Sequence, residues 1–200
     1  MPCFGGAFFV IRFSKGDYMS YFVFVDNSNV WIEGKFASAV AKGRAKNIYE
    51  AHSRKCDDRA WRIDFGKLLN CVTEGNITEI KKAVLFGSKP THTDCLWQAM
   101  ALAQFEVVAL DALDRNIANK KKAIDTGIIA KIDKSLYKDA SEGDTFVLVM
   151  GDKDFKPAIE AIRDENCKSV VAFWDNAAAE LISEADEFIN LTPLLQSITY

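Results

Sequence analysis

The sequence predicts an α/β fold in which a mostly parallel sheet of about five strands carries helices on both faces, as a three-layer sandwich. Short apolar runs of strand length recur along the chain, and segments with helical periodicity separate them. Strands that alternate with helices are joined by crossovers, which make neighbouring strands parallel and place helices on the sheet faces. Two hundred residues, 49% of them apolar, suit one such domain over residues 19–200.

The first strand is predicted over residues 21–25, a run of aromatic and β-branched side chains that ends in Asp26. Asp26 is therefore expected at the carboxyl end of the strand, where open α/β sheets bind their ligands. A carboxylate beside a buried strand is costly to remove from water. It needs a partner, such as a metal ion, a cation or backbone donors.

The remaining elements follow in alternation. From Val30 to about residue 60 the sequence predicts a helix and then a long basic loop, with Gly34 and Gly43 as interruptions. Further strands are predicted over residues 80–86, 105–110, 146–150, 169–174 and 188–191. Further helices are predicted over residues 61–70, 93–104, 156–165 and 177–185. The four-residue spacing of Ile128, Ile132 and Leu136 predicts one more helix, for which Asp125 is the expected N-cap.

Residues 1–18 are expected to be a poorly ordered leader that precedes the natural start at Met19. The apolar stretch within them is too short and too poorly flanked for a secretory signal. Residues 15–18 also have a composition that a purine-rich ribosome-binding sequence would encode. N-terminal sequencing of the natively expressed protein would distinguish the two starts.

Charge is distributed unevenly, although the net charge is only −3. Residues 35–62 hold eight Lys or Arg against three acids, and residues 115–138 hold seven against two. Residues 139–200 reverse the balance, with thirteen acids and four bases. The pattern fits an acidic metal site flanked by phosphate-binding surface. Ordinary solvated helix faces explain it as well, and charge by itself favours them.

The cysteines indicate a reducing compartment. Five cysteines, an odd number, without a C-x-x-C pair, are typical of free thiols in a cytoplasmic protein. His52 with Cys56, and His92 with Cys95, have helical ligand spacing and leave a zinc site open as a minor alternative. No apolar stretch reaches the roughly 20 residues that span a bilayer, so no membrane partner is expected.

Four carboxylates are predicted to gather at one edge of the sheet: Asp26, Asp125, Asp152 and Asp154. The first and fourth strands tend to be neighbours where the strand order reverses, which places their carboxyl ends together. Acids that converge without matched bases repel one another, and a hard divalent cation such as Mg²⁺ or Mn²⁺ relieves that repulsion. Each acid taken singly is also explained as a turn residue or a helix cap.

Three motifs and the C-terminal segment resemble the NYN domain, a branch of the PIN-like nuclease superfamily. They are FVDNSN at residues 24–29, KAID at residues 122–125, VMGDKDFKP at residues 149–157, and ADEFINL at residues 185–191. The resemblance covers about residues 21–192. It implies a PIN-like Rossmannoid sheet and a nuclease that depends on Mg²⁺ or Mn²⁺ and usually acts on RNA.

Carried over by position, the family's acidic residues match Asp26, Asp125, Asp152 and Asp154. Its strand-end asparagine matches Asn29, and its basic residue three places before the middle acid matches Lys122. The chain departs from the pattern at Lys131, where many relatives carry a further aspartate, while Asp133 lies two residues on. A lysine there would neutralise part of the site or contact a phosphate, which puts two-metal catalysis in doubt.

The leading hypothesis is a cytoplasmic, metal-dependent endoribonuclease that acts on single-stranded or structured RNA. The residues expected to hold Mg²⁺ or Mn²⁺ are Asp26, Asp152 and Asp154, with Asp125 as a ligand or a water-orienting base. The residues expected to bind backbone phosphates are Lys35, Arg44, Lys122 and Lys131, beside Asn29. Trp31 either stacks on a base or belongs to the core.

Two other hypotheses remain open. A nucleic-acid-binding module that has lost the chemistry would carry Lys131 as its mark. A phosphatase of another Rossmann-like fold ranks last, because Ser28 stands where a D-x-D sequence would need its second aspartate. The sequence leaves a homodimer open.

Overall fold

The computed structural model describes residues 19–88, 105–110 and 117–200. The leader predicted over residues 1–18 and the helix predicted over residues 93–104 lie outside the described residues. In this part of the chain, no helix has both the length and the apolar character needed to cross a membrane.

Within the described ranges, the strands form one parallel sheet of six, and each of the six corresponds to a strand predicted from the sequence, although the sheet was expected to hold about five. The strands are β1 (Tyr21–Asp26), β2 (Ile80–Ser88), β3 (Phe105–Leu110), β4 (Thr145–Val149), β5 (Lys168–Phe173) and β6 (Glu187–Asn190). The helices are α1 (Asn27–Ala41), α2 (Ile48–Ser53), α3 (Phe65–Val72), α4 (Ile117–Lys138), α5 (Lys156–Asp164) and α6 (Ala179–Glu184). The predicted α/β class with a parallel sheet is confirmed.

The strand order is β3-β2-β1-β4-β5-β6, so the chain first builds outward from β1 and then returns to its other side. β1 and β4 are therefore hydrogen-bonded neighbours at the point where the order reverses, as predicted. Val25 pairs with Val149 in this ladder. Asp26 follows Val25 directly, and Asp152 follows Val149 by three residues, so both leave the sheet at the same edge.

The core has two layers, one on each face of the sheet. In β1, Val23 and Val25 belong to the layer that contains Trp174, whereas Phe22 and Phe24 belong to the opposite layer. All four side chains are fully buried. Burial on both faces explains why the strand is apolar throughout rather than alternating.

Gly34 lies inside α1 and does not interrupt it, contrary to the prediction. A Cβ atom at this position would lie 2.3 Å from the Trp61 ring and 2.8 Å from the Trp174 ring. The glycine is therefore needed for the close approach of α1 to two buried tryptophans. Gly43, at φ +71°, follows the end of the helix and does act as an interruption.

Asp125 does not cap α4, which corrects the prediction. The helix begins at Ile117, so Asp125 lies more than two turns inside it. The residues before Asp125 are mostly Ala and Lys, which favour helices, and neither Gly nor Pro stops the helix there. Ile124 is buried like Ile128 and continues the apolar stripe toward the N-terminus.

Asp58 forms a buried polar contact near the C-terminal end of α1. Its carboxylate accepts hydrogen bonds from Lys42 Nζ at 2.5 Å and from Ser38 Oγ at 2.7 Å. These bonds, that from Lys42 first, hold the pKa of Asp58 below its ordinary value of 3.8. The folded state therefore binds this proton less readily than the unfolded chain does.

We expect the protonation of Asp58 to lower the free energy of unfolding as the pH falls below about 4. A lowered folded-state pKa contributes stability above the unfolded-state pKa, and that stability is lost as protonation proceeds toward the folded-state pKa. The free energy of unfolding in urea, measured near pH 6 and near pH 3, should fall more in the wild type than in Asp58→Asn. Equal pH dependence in the two proteins would assign the acid sensitivity to other carboxylates.

Candidate functional site

Asp26 both ends β1 and caps α1. Its Oδ1 accepts a hydrogen bond from the backbone N–H of Asn29 at 3.2 Å, and the residue is only 4% exposed. A carboxylate at this position satisfies a free helix N–H and interacts favourably with the helix dipole. The prediction that Asp26 is a helix cap is therefore confirmed. Its hydrogen bond also holds Asn29 in the first turn of α1, at the same edge of the sheet.

Asp152 and Asp154 lie in the turn that follows β4. Asp152 is half-buried and accepts a hydrogen bond from the backbone N–H of Asp154 at 3.2 Å, while Asp154 is exposed. The preceding Gly151 has no room for a side chain, because a Cβ would lie 2.2 Å from the Phe173 ring. Backbone packing on Phe173 therefore positions the turn beside β5.

An open pocket of about 300 Å³ lies at this edge, and both Asn29 and Asp152 line it. Glu33 and Asn176 also line it, and neither was predicted as a site residue. Glu33 lies one turn after Asn29 on α1, and Asn176 follows β5, so helix spacing and the strand-end rule both offered a signal. The pocket joins residues from α1, the turn after β4 and the segment after β5.

Glu33 links three segments of the chain. Its Oε2 accepts hydrogen bonds from Asn176 Nδ2 and from His52 Nε2, each at 2.6 Å. Oδ1 of Asn176 is buried and has no hydrogen-bond partner among the described residues. His52 belongs to α2, so Glu33 connects this helix directly to the wall of the pocket.

Asp125 lies half-buried on α4, next to the buried Ile124. This helix packs against β1, β2 and the turn formed by Lys153–Phe155. α4 thus contacts the two segments that end in Asp26 and that contain Asp154. The side chain of Lys122 lies outside the described residues.

The described residues do not include any group of three or more His, Cys, Asp or Glu side chains that could hold a metal ion. The predicted set of four acidic ligands stays a prediction. Asp26 and Asp152 nevertheless supply two carboxylates at the ends of neighbouring strands. Mg²⁺ is commonly held by one or two carboxylates, with water and substrate phosphate as its other ligands. The donor chemistry therefore fits a hard divalent cation held in that way.

Lys131 forms an ion pair with Glu106 of β3, the strand at one edge of the sheet. The Lys131 side chain is 21% exposed and that of Glu106 is 46% exposed. Glu106 thus offsets the positive charge of Lys131, which was expected to neutralise part of the negative charge of the site. A contact between Lys131 and a phosphate stays a prediction.

The other predicted substrate-binding residues lie on α1 and just beyond it. Nζ of Lys35 lies 3.9 Å from the centre of the Trp31 ring and 3.9 Å from Asp57 Oδ2. Arg44 is exposed, and its Nη1 donates a hydrogen bond to the Asp57 carbonyl at 3.5 Å. Trp31 is half-buried against the core, so part of its surface serves packing.

Comparisons with known proteins bear on the fold. The sequence model of the family described as the NYN domain matches residues 22–192. No curated protein matches the chain. Among solved structures, the crystal structure of a protein of unknown function from Vibrio parahaemolyticus is similar, with a TM-score of 0.64 and 19% sequence identity. The similarity covers 94% of this chain and 100% of that one, and at this identity it shows a shared fold.

Proposed function

Because this chain belongs to the NYN domain family, whose fold is nuclease-like, we propose that it is a metal-dependent ribonuclease that hydrolyses phosphodiester bonds. The observation that supports this most is the placement of Asp26 and Asp152. Asp26 ends β1 and Asp152 lies three residues after the neighbouring β4, at the reversal of strand order, and Asp152 lines an open pocket there. Ligand sites of open α/β sheets occur at this position.

Asp26 and Asp152 would hold a cation of the Mg²⁺ or Mn²⁺ type, with Asp154 as a further ligand from the exposed turn. Such a cation stabilises the negative charge on a phosphodiester under attack. Asp125 is proposed as another ligand or as the group that orients the attacking water. Asn29 is proposed to contact a substrate phosphate through its side-chain amide, because its backbone N–H already donates to the Asp26 carboxylate.

The proposed substrate is RNA, single-stranded or structured. The side chains proposed to contact its phosphates are Lys35, Arg44, Lys122 and Lys131, and Trp31 is proposed to stack on a base.

A cytoplasmic location is proposed from the state of the cysteine thiols. Cys56, Cys71 and Cys167 are free cysteines in the described ranges, and burial raises the pKa of the Cys71 thiol and of the Cys167 thiol. Raised thiol pKa values favour inert, reduced cysteines.

A second candidate is a nucleic-acid-binding module without catalysis. Lys131 stands where the resemblance implies an aspartate in many relatives, and the described residues lack a cluster of three metal-binding side chains, which favours this candidate. This candidate predicts binding of RNA that does not depend on a divalent metal ion.

We expect end-labelled single-stranded RNA to be cleaved in the presence of Mn²⁺ and to stay intact with a chelator. Addition of excess Mn²⁺ to the chelated reaction should restore cleavage, because the proposed site loses its cation reversibly. Gel electrophoresis of the labelled fragments and an anisotropy measurement of binding would be made on the same preparation. Binding without cleavage would favour the second candidate, and cleavage that persists in the chelator would contradict the metal-dependent mechanism.

A further inference from the structure

The surface of α2 beside the pocket combines an exposed aromatic ring with cations. Lys46, Tyr49, His52 and Lys55 recur every three residues and are all exposed, and we call these four side chains the α2 platform. Tyr49 is 66% exposed, while Ile48 and Ala51 of the same helix are buried. The helix therefore packs by one side and exposes Tyr49 and His52, while Lys46 and Lys55 lie in the segments just before and just after it.

The α2 platform adjoins the pocket through a single residue. His52 Nε2 lies 2.6 Å from Glu33 Oε2, and Glu33 lines the pocket with Asp152. The imidazole of His52 also stacks on the Phe36 ring of α1, with 3.9 Å between the ring centres. Through His52, these two contacts hold α2 against α1. A polymer that enters the pocket would therefore meet the α2 platform next.

The charge around the α2 platform is positive. Residues 42–62 contain seven Lys or Arg and three acids. Two of the acids are already engaged, because Asp58 is buried against Lys42, and Glu50 accepts hydrogen bonds from Arg54 and from the Lys46 backbone N–H. Neither Lys46 nor Lys55 has an ion-pair partner within the described ranges. Their ammonium groups are suited to the phosphates of a nucleic acid.

We propose that the α2 platform binds the single-stranded part of the nucleic acid whose phosphodiester bond lies in the pocket, with a base stacked on Tyr49. Single strands suit this surface because their unpaired bases are available for stacking, whereas a duplex keeps its bases stacked on one another. Lys46 and Lys55 contact the phosphates on either side of that base. The inference rests on the proposed function, since it concerns the strand that the pocket receives.

The test measures binding apart from cleavage. The probe is a fluorescent single-stranded RNA of about 12 nucleotides, and anisotropy is recorded in a chelator so that the strand stays intact. Tyr49→Ala should weaken binding on the order of tenfold, and Tyr49→Trp should retain it, because an aromatic ring is enough for stacking. Tyr137→Ala is the matched control, since Tyr137 is 65% exposed on α4 and should leave binding unchanged.

The phosphate contacts have their own measurement. Combined replacement of Lys46 and Lys55 by alanine should reduce the slope of log affinity against log salt by about 0.7 for each lysine. Tyr49→Ala should leave that slope unchanged. The proposal is overturned if Tyr49→Ala binds RNA as tightly as the wild type does, which is also the result expected if the α2 platform binds a protein partner instead. It is likewise overturned if Tyr137→Ala loses as much affinity as Tyr49→Ala, or if the wild type does not bind RNA.

Failure of this inference and failure of the proposed function give different results. If the wild type cleaves RNA with Mn²⁺ but Tyr49→Ala binds RNA normally, the α2 platform is wrong and the ribonuclease assignment stands. If RNA binds through Tyr49 but is not cleaved, the α2 platform stands and the ribonuclease assignment fails. Urea unfolding of Tyr49→Ala should match that of the wild type, because the ring is mostly exposed.

Discussion

Replacement of Asp152 by asparagine is expected to reduce metal-dependent cleavage of RNA by at least about a hundredfold, with the fold intact. The change removes a negative charge from the proposed cation site. It keeps an amide oxygen that can still accept the hydrogen bond from the Asp154 backbone, which the carboxylate accepts at 3.2 Å. The rate of cleavage with saturating Mn²⁺, and the urea midpoint of the same protein, would be measured together.

Asp175→Asn provides the matched control for Asp152→Asn. Asp175 also follows a strand, β5, but it is exposed and accepts a hydrogen bond from Asn190 Nδ2 at 2.7 Å. Its replacement should leave cleavage within a fewfold of the wild type. Asp26→Asn should lose activity as Asp152→Asn does, because asparagine still caps a helix but brings no charge. Full activity of Asp152→Asn would remove the residue from the site.

Gly34→Ala is expected to destabilise the protein by about 1–3 kcal/mol, whereas Gly127→Ala should stabilise it by about 0.5–1 kcal/mol. Both glycines lie inside helices, so the gain in helix propensity is similar. At Gly34 the new methyl group would overlap the rings of Trp61 and Trp174, at 2.3 Å and 2.8 Å. At the exposed Gly127, no described atom beyond the helix's own backbone and the chain neighbours lies within 4 Å of the added Cβ.

Urea unfolding curves of the two variants beside the wild type would test this pair. A stabilised Gly34→Ala would mean that the two tryptophans move apart without cost, which would contradict the packing of α1 against them. The effect of Gly127→Ala calibrates helix propensity in the same protein. The difference between the two free energies of unfolding therefore isolates the overlap with Trp61 and Trp174.

The strands could be predicted because their signal is local. β3 has the predicted bounds, Phe105–Leu110; β1 is one residue longer than predicted, and β4 is shifted by one residue toward the N-terminus. A run of buried side chains on both faces of a sheet is visible in the sequence itself. The pairing of β1 with β4 was also predicted, since crossover rules restrict where the strand order can reverse.

The helix ends were harder to predict, because aspartate and glycine occur both at helix ends and, where packing requires them, inside helices. Asp125 was expected to begin a helix that in fact begins at Ile117. Gly34 was expected to interrupt a helix that passes through it, since packing against Trp61 and Trp174 outweighs the low helix propensity of glycine. The partners that decide these positions are distant in the sequence.

By itself, the sequence determined the α/β class, the parallel sheet and the placement of Asp26 and Asp152 at the carboxyl ends of strands. It could do so because the apolar runs that form buried strands, and the periodic segments that form helices, consist of residues close together in the chain. Only the tertiary structure decided which side chains share the pocket. Glu33, His52 and Asn176 come from three separate segments, yet two hydrogen bonds of 2.6 Å join them. The pairing of Lys131 with Glu106 was decided in the same way. Polar contacts between distant segments depend on how the elements pack, and local periodicity carries no information about that packing.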